Sequence, residues 1–223
     1  MAPKQTKERT FDGLGVSPGI GIGIAHVRNG GMAAVPKYRV AARDVAKEQA
    51  RFRDALRRAR RQIKQLQAKT QAMPELVQEE IGLLLDAYLQ MLEGSRLVRG
   101  AEDRIVNGRI NAEAAVDAEI AEISEGFAAL DDAYIAARLA DIREVGGRLI
   151  QNLTRAPRTP LSRLPQGSLI IAHELTPADT ARLSPTRIAG AAAVGGGAEG
   201  HTAIMTRALG IPMVLGVPDL SKQ

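Results

Sequence analysis

The chain has 223 residues, of which 45% are hydrophobic but only 3% aromatic, so it is long enough for one or two domains with an aliphatic core. It has no cysteine, which excludes disulfides, thiolate metal sites and cysteine nucleophiles, and its three histidines are not at metal-ligand spacing. The net charge of +5, with few aromatic residues and no recognised nucleic-acid motif, indicates a generic basic surface and no nucleic-acid partner.

The N-terminal segment predicts neither a signal peptide nor a membrane anchor. Residues 1–10 are polar and lack an apolar core, and we expect a disordered tail there. No apolar run elsewhere reaches membrane-spanning length. These features predict a cytoplasmic protein with no membrane partner.

Residues 11–27, FDGLGVSPGIGIGIAHV, alternate small apolar residues with glycine around Ser17-Pro18-Gly19. The pattern predicts a turn followed by a strand from Ile20 to Val27. His26 ends this strand, where a structural or surface role is favoured over a catalytic one.

The hydrophobic period becomes helical between about residues 43 and 153. Apolar stripes predict a first helix from Val45 to Leu66, then helices over 74–93, 96–106, 111–130 and 135–153, with Asn111 as an N-cap. Antiparallel helices with near-heptad seams predict a helical bundle.

The first two helices of this region carry charges of opposite sign. The first contains Arg51, Arg53, Arg57, Arg58, Arg60 and Arg61. The second contains Glu75, Glu79, Glu80, Asp86 and Glu93 and no basic residue. Charge runs of this kind are usually solvated faces that pair with a neighbour.

Residues 154–167 contain three prolines and predict a linker out of the bundle, followed by a strand from Leu169 to Ala172. Thr176, Pro177 and Asp179 have the residue types preferred at the N-cap, N1 and N3 positions of a helix. His173 lies near this loop and receives no chemical role from the sequence.

The stretch from residue 188 to 216 predicts a strand, a glycine-rich turn, a helix and a second strand. The strand covers Ile188 to Val194, the helix covers Thr202 to Leu209 with Gly210 as its C-cap, and Met213 to Leu215 form the next strand. His201 stands where the turn becomes the helix.

A histidine at the start of a helix is suited to carrying a phosphoryl group. Partial positive charge at that end disfavours imidazolium, which leaves a ring nitrogen able to attack, and the first N–H groups can bind phosphate oxygens. A capping or surface histidine is the simpler interpretation of the position alone. A nucleotide-phosphate loop is disfavoured, because neither GxGxxG with a downstream acid nor GxxxxGK[ST] occurs.

The string G-G-x-x-x-H-T-A-I-M-x-R-x-L-G-I-P-x-V-x-G around His201 resembles the phosphohistidine motif of phosphoenolpyruvate-utilising phosphotransferases. Many members have a basic residue and then Thr-Ser or Thr-Cys before the histidine, whereas this chain has Ala198, Glu199 and Gly200. The substitution removes a cation and hydroxyls from the loop. Arg207, six residues after His201, is expected to be turned away from it around the helix.

Three further segments narrow the resemblance to the Enzyme I family of the phosphotransferase system. They are SPGIGIG at 17–23, LLDAYLQMLE at 84–93, and LDDAYIAARLADIREVGGRL at 130–149. The synthases and dikinases that share the phosphohistidine motif do not begin with the first of these. Sugar-type and nitrogen-type membership both stay open, as does whether the chain is an excised domain or naturally short.

The resemblance implies an α/β phosphohistidine (swivelling) domain, built from residues 11–35 and 154–223, into which a helical HPr-binding subdomain, 36–153, is inserted. In this family a C-terminal barrel then binds phosphoenolpyruvate and Mg²⁺ and drives dimerisation. The sequence up to Gln223 contains no such barrel. We therefore expect a monomeric fragment without a cofactor of its own, in a family whose full-length enzymes are homodimers.

The resemblance also implies that His201 is phosphorylated from phosphoenolpyruvate and passes the phosphoryl group to HPr, a small phosphocarrier with basic residues around its own histidine, or to a nitrogen-type homologue. Thr180 is the candidate for orienting His201, and a backbone-bonded helix threonine is the alternative. The implied phosphate loop is Gly196, Gly197, Gly200 and Thr202. The implied HPr-docking residues are Glu80, Leu84, Asp86, Tyr88, Leu89 and Glu93.

Two alternative functions remain open from the sequence. One is a phosphocarrier-binding module of the same fold that has lost transfer, as Glu199-Gly200 in the loop suggests. The other is the phosphohistidine domain of a different phosphoenolpyruvate-utilising enzyme.

Overall fold

A computed structural model describes residues 8–28, 35–71, 75–127, 133–154, 161–198 and 200–220. The chain forms two compact units, one from residues 1–31 and 159–223 and the other from 32–158. From the sequence, the helical unit is predicted to cover residues 36–153, so both predicted boundaries lie within a few residues of these. The first unit is α/β and the second is helical.

The described part of the helical unit contains five α-helices, each close to a predicted one. They are α1 (Val45–Thr70), α2 (Glu75–Met91), α3 (Arg96–Val106), α4 (Ala112–Phe127) and α5 (Ala133–Thr154). Helix α1 packs against α2, α3 and α5, and α4 packs against α3 and α5. The buried side chains are mainly the apolar stripes of the sequence, among them Phe52, Ile63, Ile81 and Leu149. None of the described helices is both long and apolar enough to cross a membrane.

The start of α4 is capped differently from the sequence prediction. Asn111 precedes the helix and its carbonyl accepts a hydrogen bond from the N–H of Ala115. Its side-chain oxygen, however, accepts from the backbone N–H of Tyr38 at 2.9 Å. The Ala112 N–H instead donates to the carboxylate of Glu48 on α1, at 2.6 Å. The cap of α4 is therefore supplied by a residue that is distant in sequence.

Arg51 connects α1 with α4 through a largely buried charge cluster. Its guanidinium makes two hydrogen bonds to Glu113, at 2.6 and 2.5 Å, and two to Glu48, at 3.0 and 2.5 Å. Both carboxylates are buried. The bonds to Glu113 raise the pKa of Arg51. Burial of Glu113 acts in the opposite sense to its bonds from Arg51 and Asn111, and the net effect lowers its pKa, so the cluster stays charged.

The α/β unit is built on a five-stranded sheet. Its strands are β1 (Leu14–Ser17), β2 (Ile24–Arg28), β3 (Ser168–Ala172), β4 (Ile188–Ala193) and β5 (Met213–Leu215), arranged in the order β1-β5-β4-β3-β2. Only β1 runs antiparallel to its neighbour. Strands β3, β4 and β5 match the predicted ones to within a residue, whereas β1 was not predicted.

The predicted strand from Ile20 is wrong at its start, because β2 begins at Ile24, opposite Ser168. The preceding segment lies across the ends of β3 and β4. A Cβ on Gly21 would clash with the carbonyl of Ala189, and one on Gly23 with the carbonyl of Gly167. Ile20 and Ile22, which precede these two glycines, are almost fully exposed, so the alternation that resembles a strand reflects a close backbone crossing.

We expect Arg51→Met to destabilise the helical unit by about 3 kcal/mol or more, because it leaves two buried carboxylates without their cation. Arg53→Met is the matched control. Its side chain is 61% exposed and lies 3.8 Å from Glu102, so the loss should stay below about 1 kcal/mol. Urea unfolding of both variants measures the difference, and equal losses would show that the Arg51 cluster is not a stabilising contact.

Candidate functional site

The candidate site lies at the carboxyl edge of the parallel strands, where α/β sheets commonly bind ligands. Strand β4 ends at Ala193, and residues 194–200, here called the glycine loop, lead to helix α7 (His201–Leu209). Strand β3 ends nearby at Ala172 and leads to the short helix α6 (Pro177–Thr180). Glu199 of the loop lies outside the described residues.

Backbone contacts hold the glycine loop against the end of β3. The Gly195 N–H donates to the carbonyl of His173 at 2.8 Å, and the Gly200 N–H donates to the carbonyl of Gly197 at 3.1 Å. Gly196 has a φ of 108°, and a Cβ there would lie 3.1 Å from the Leu215 side chain. The positive φ therefore strains any residue other than glycine at position 196, and a Cβ there would also press on the Leu215 side chain.

His201 is the first residue of α7 and is half-buried. Gly200, the N-cap, is extended and has no side chain to offer the first N–H groups of the helix. Ala203 and Met205, on the buried side of α7, anchor the helix in the core. Gly210 ends the helix in the left-handed conformation with a φ of 63°, as predicted. His201 therefore stands at the positive end of a well-anchored helix.

Helix α6 packs against α7, and a side-chain hydrogen bond joins their starts. The Thr202 hydroxyl donates to the carbonyl of Leu175 at 2.6 Å. Thr176 caps α6 as predicted, because its hydroxyl accepts from the Asp179 N–H at 3.1 Å. Thr202 belongs to the predicted phosphate loop, but its hydroxyl proton is directed to Leu175, so its backbone N–H is the group left to meet a phosphate.

Thr180 is fully buried at the end of α6. Its hydroxyl donates to the carbonyl of Thr176 at 2.9 Å, which is the backbone-bonded arrangement considered from the sequence. With its proton used in this way, the hydroxyl oxygen can only accept a further hydrogen bond. The role of Thr180 toward His201 stays a prediction.

An ion pair ties α6 to the carboxyl end of β2. Arg28 lies 2.9 Å from the carboxylate of Asp179, and both side chains are mostly buried. This pair could not be predicted from local patterns, because its members are separated by 151 positions. Helix α6 is thus held from β2 by Arg28 and from α7 by Thr202.

Arg207, which the sequence predicts to be turned away from His201 around the helix, reaches the glycine loop with its side chain. Its guanidinium donates to the carbonyl of Ala198 at 3.1 Å. Side chains on a helix slant toward its N-terminus, and an arginine is long enough to reach back past the first turn. A cation therefore lies beside the backbone of Ala198, the residue that stands at the often basic loop position of the resembled family.

Two of the predicted docking residues on helix α2 are buried. Leu84 and Tyr88 belong to the core. The Tyr88 hydroxyl donates a hydrogen bond to the Asp141 carboxylate at 3.1 Å. Burial, together with the charge of Asp141, raises the pKa of Tyr88. The helix phase puts both residues inside, so their prediction as docking residues is wrong. The family pattern indicates these two residues but does not show which side of the helix they occupy.

Of the other predicted docking residues, Asp86 is exposed on α2 and Glu93 is exposed in the turn that follows the helix. Leu83, also on α2, is 68% exposed. Leu89 is half-buried, and the side chain of Glu80 lies outside the described part of the chain. Leu83 was missed, although its spacing of three from Asp86 and of four from Glu79 places it on the acidic face.

Metal-binding groups are not clustered in the described residues. No three His, Asp or Glu side chains among them are grouped closely enough to hold a metal ion.

Comparison with known proteins gives the same family for both units. Residues 12–138 match the model of the N-terminal domain of phosphoenolpyruvate-utilising enzymes, and residues 164–223 match the model of their mobile domain. Over 95% of its length the chain is 37% identical to a phosphoenolpyruvate-protein phosphotransferase of Haloferax volcanii. Over 97% it is 33% identical to that of Geobacillus stearothermophilus. The chain spans 37% of the length of each of these relatives.

Solved structures of similar proteins extend over nearly the whole chain. A solution structure of an Enzyme I protein matches 96% of this chain and 85% of its own, with 30% identity and a TM-score of 0.73. The N-terminal domain of Enzyme 1 - Nitrogen matches 96% of this chain and 86% of its own, with 29% identity and a TM-score of 0.66. Both the sequence and the fold are thus those of an Enzyme I N-terminal domain, and the chain belongs to the family of phosphoenolpyruvate-utilising enzymes.

Proposed function

We propose that this chain is the phosphoryl-transfer domain of a phosphoenolpyruvate-protein phosphotransferase. His201 receives the phosphoryl group from phosphoenolpyruvate in the longer enzyme and passes it to HPr or to a nitrogen-type homologue. The observation that carries the proposal is the place of His201, which begins α7 directly after a glycine loop at the carboxyl edge of the sheet.

The backbone around His201 suits a group that becomes doubly negative. In the forward step a ring nitrogen of His201 forms a bond to phosphorus while the bond from phosphorus to the donor breaks and the donor keeps that electron pair. The first N–H groups of α7 can bind the phosphoryl oxygens, and Gly196 and Gly197 let the loop backbone approach them closely. These backbone groups would thereby stabilise the charge of the product.

Thr180 supports this chemistry through the direction of its hydroxyl. Because the proton is donated to Thr176, a histidine ring can meet Oγ1 only with an N–H. A ring nitrogen that is held as a donor to Thr180 leaves the lone pair on the other nitrogen, which is then the nucleophile. In this proposal Thr180 sets the tautomer and orientation of His201.

The exposed face of α2 is the proposed carrier-binding surface. Leu83 provides an apolar contact, Asp86 adds negative charge one turn further along the helix, and Glu93 adds another in the turn after α2. A phosphocarrier with basic residues around its histidine complements such a surface. Charge complementarity of this kind mainly increases the association rate and decreases with salt.

His201→Ala should abolish the acid-labile phosphate that the chain acquires from phosphorylated HPr, because it removes the nucleophile. The matched control is His173→Ala, which deletes an exposed imidazole at the end of β3 and should keep full labelling. Labelling with phosphorus-32 at neutral and acid pH measures both. Unlabelled wild-type protein would favour the alternative, a carrier-binding module that has lost transfer.

Replacing Asp86 and Glu93 by lysine should weaken HPr binding about tenfold or more and flatten its dependence on salt. A double change of equal charge on α3, Glu102→Lys with Asp103→Lys, is the control and should leave the affinity near that of the wild type. Titration calorimetry at low and high salt compares the three proteins. If the α2 variant binds as the wild type does, its acidic face is only a solvated surface.

Residues 1–223 alone should exchange phosphate with phosphorylated HPr but should not be labelled by phosphoenolpyruvate and Mg²⁺. Attack on phosphoenolpyruvate needs Mg²⁺ and several cations around the phosphate, which the proposal assigns to the part of the relatives that this chain does not span. Adding the C-terminal barrel of a relative in trans should restore labelling. Strong labelling of residues 1–223 by phosphoenolpyruvate would instead place the substrate site within them.

A further inference from the structure

We propose that Arg207 binds the phosphoryl group on His201 and replaces the basic loop residue for which this chain has Ala198. The inference rests on the proposed function of His201. It assigns to Arg207 a contact with the phosphoryl oxygens, made by guanidinium N–H groups that lie at the glycine loop.

The position of the guanidinium is the first argument. Arg207 lies near the C-terminal end of α7, yet its Nη2 is 3.1 Å from the carbonyl oxygen of Ala198, three residues before His201. The side chain is exposed, so solvent and a docked carrier can reach it. One hydrogen bond to a carbonyl therefore fixes a cation at the loop that precedes the phosphorylated residue.

The donors of a guanidinium are the second argument. An arginine has five N–H donors in a planar fork, and the bond to Ala198 requires one of them. The others can make paired, charge-assisted hydrogen bonds to phosphate oxygens. The carbonyl of Ala198 holds the side chain in place before the phosphoryl group arrives, which lowers the entropy lost when it binds.

The charge of the loop is the third argument. From residue 188 to residue 206 the sequence contains no lysine or arginine, whereas Glu199 adds a negative charge close to His201. A phosphoryl group of charge near −2 at His201 would be repelled by this carboxylate. Arg207 is the first cation along the chain after His201, and its contact with Ala198, the neighbour of Glu199, offsets that repulsion.

The test compares Arg207→Gln, Arg207→Lys and a double variant, Arg207→Gln with Ala198→Arg. The double variant restores a cation to the loop at position 198. The control is Arg187→Gln, because Arg187 also donates to a backbone carbonyl, that of Leu164, but precedes β4 at the opposite end of the strand. Each protein is phosphorylated with phosphorylated HPr. Two quantities are measured: the exchange equilibrium, and the pH titration of the phosphohistidine by phosphorus-31 NMR.

Loss of the cation should shift the exchange equilibrium about tenfold toward phosphorylated HPr and raise the phosphoryl pKa by about one unit, because the dianion loses a charge-assisted partner. Arg207→Lys and the double variant should recover at least half of both effects, and Arg187→Gln should match the wild type. A merely structural role would lower the melting temperature and leave the phosphoryl titration of the phosphorylated fraction unchanged.

The outcomes separate this inference from the proposed function. A wild-type chain that takes no phosphate from HPr overturns both. A wild-type chain that is phosphorylated, with an Arg207→Gln variant of the same equilibrium and titration, overturns the role of Arg207 alone. Failure of the double variant and of Arg207→Lys to recover any of the loss also overturns it, because the effect would then not depend on charge.

Discussion

The parallel pairing of β4 with β3 is the constraint on which the site depends. It brings the carboxyl ends of both strands to one edge, so that the glycine loop after β4 and helix α6 after β3 start side by side. The contacts from Gly195 to His173 and from Thr202 to Leu175 then join the two segments. A histidine and a threonine that are distant in sequence thereby belong to one framework of strands and short helices.

The elements predicted well are those whose signals are local. The caps at Thr176 and Gly210 depend on a few neighbouring residues, and the helical stripes repeat within one element, so the sequence contains the whole signal. Strand β1 and the start of β2 depend on partners across the sheet. The Glu48 cap of α4 likewise depends on a helix that lies far away in sequence. Neither kind of contact produces a periodic pattern in the sequence of the segment that makes it.

The site residues show the same division. The motif predicted His201 and its glycines as site residues, because the backbone conformation of such a loop requires particular residue types. It did not reveal which side of α2 faces the core, although counting from buried Ile81 and Leu85 separates Leu83 from Leu84. The bond from Arg207 to Ala198 could not be derived from spacing, because it depends on the conformation of a long, flexible side chain.

The discontinuous α/β unit has a consequence for synthesis on the ribosome. Strand β2 pairs in register with β3, but the whole helical unit is translated between them. The helical unit is continuous in sequence and can fold as soon as it emerges. Strands β1 and β2, with the exposed isoleucines beside them, have no strands to pair with until β3, β4 and β5 have been translated. The sheet that carries the candidate site is thus completed only after the helical unit has been translated, when β3, β4 and β5 join β1 and β2.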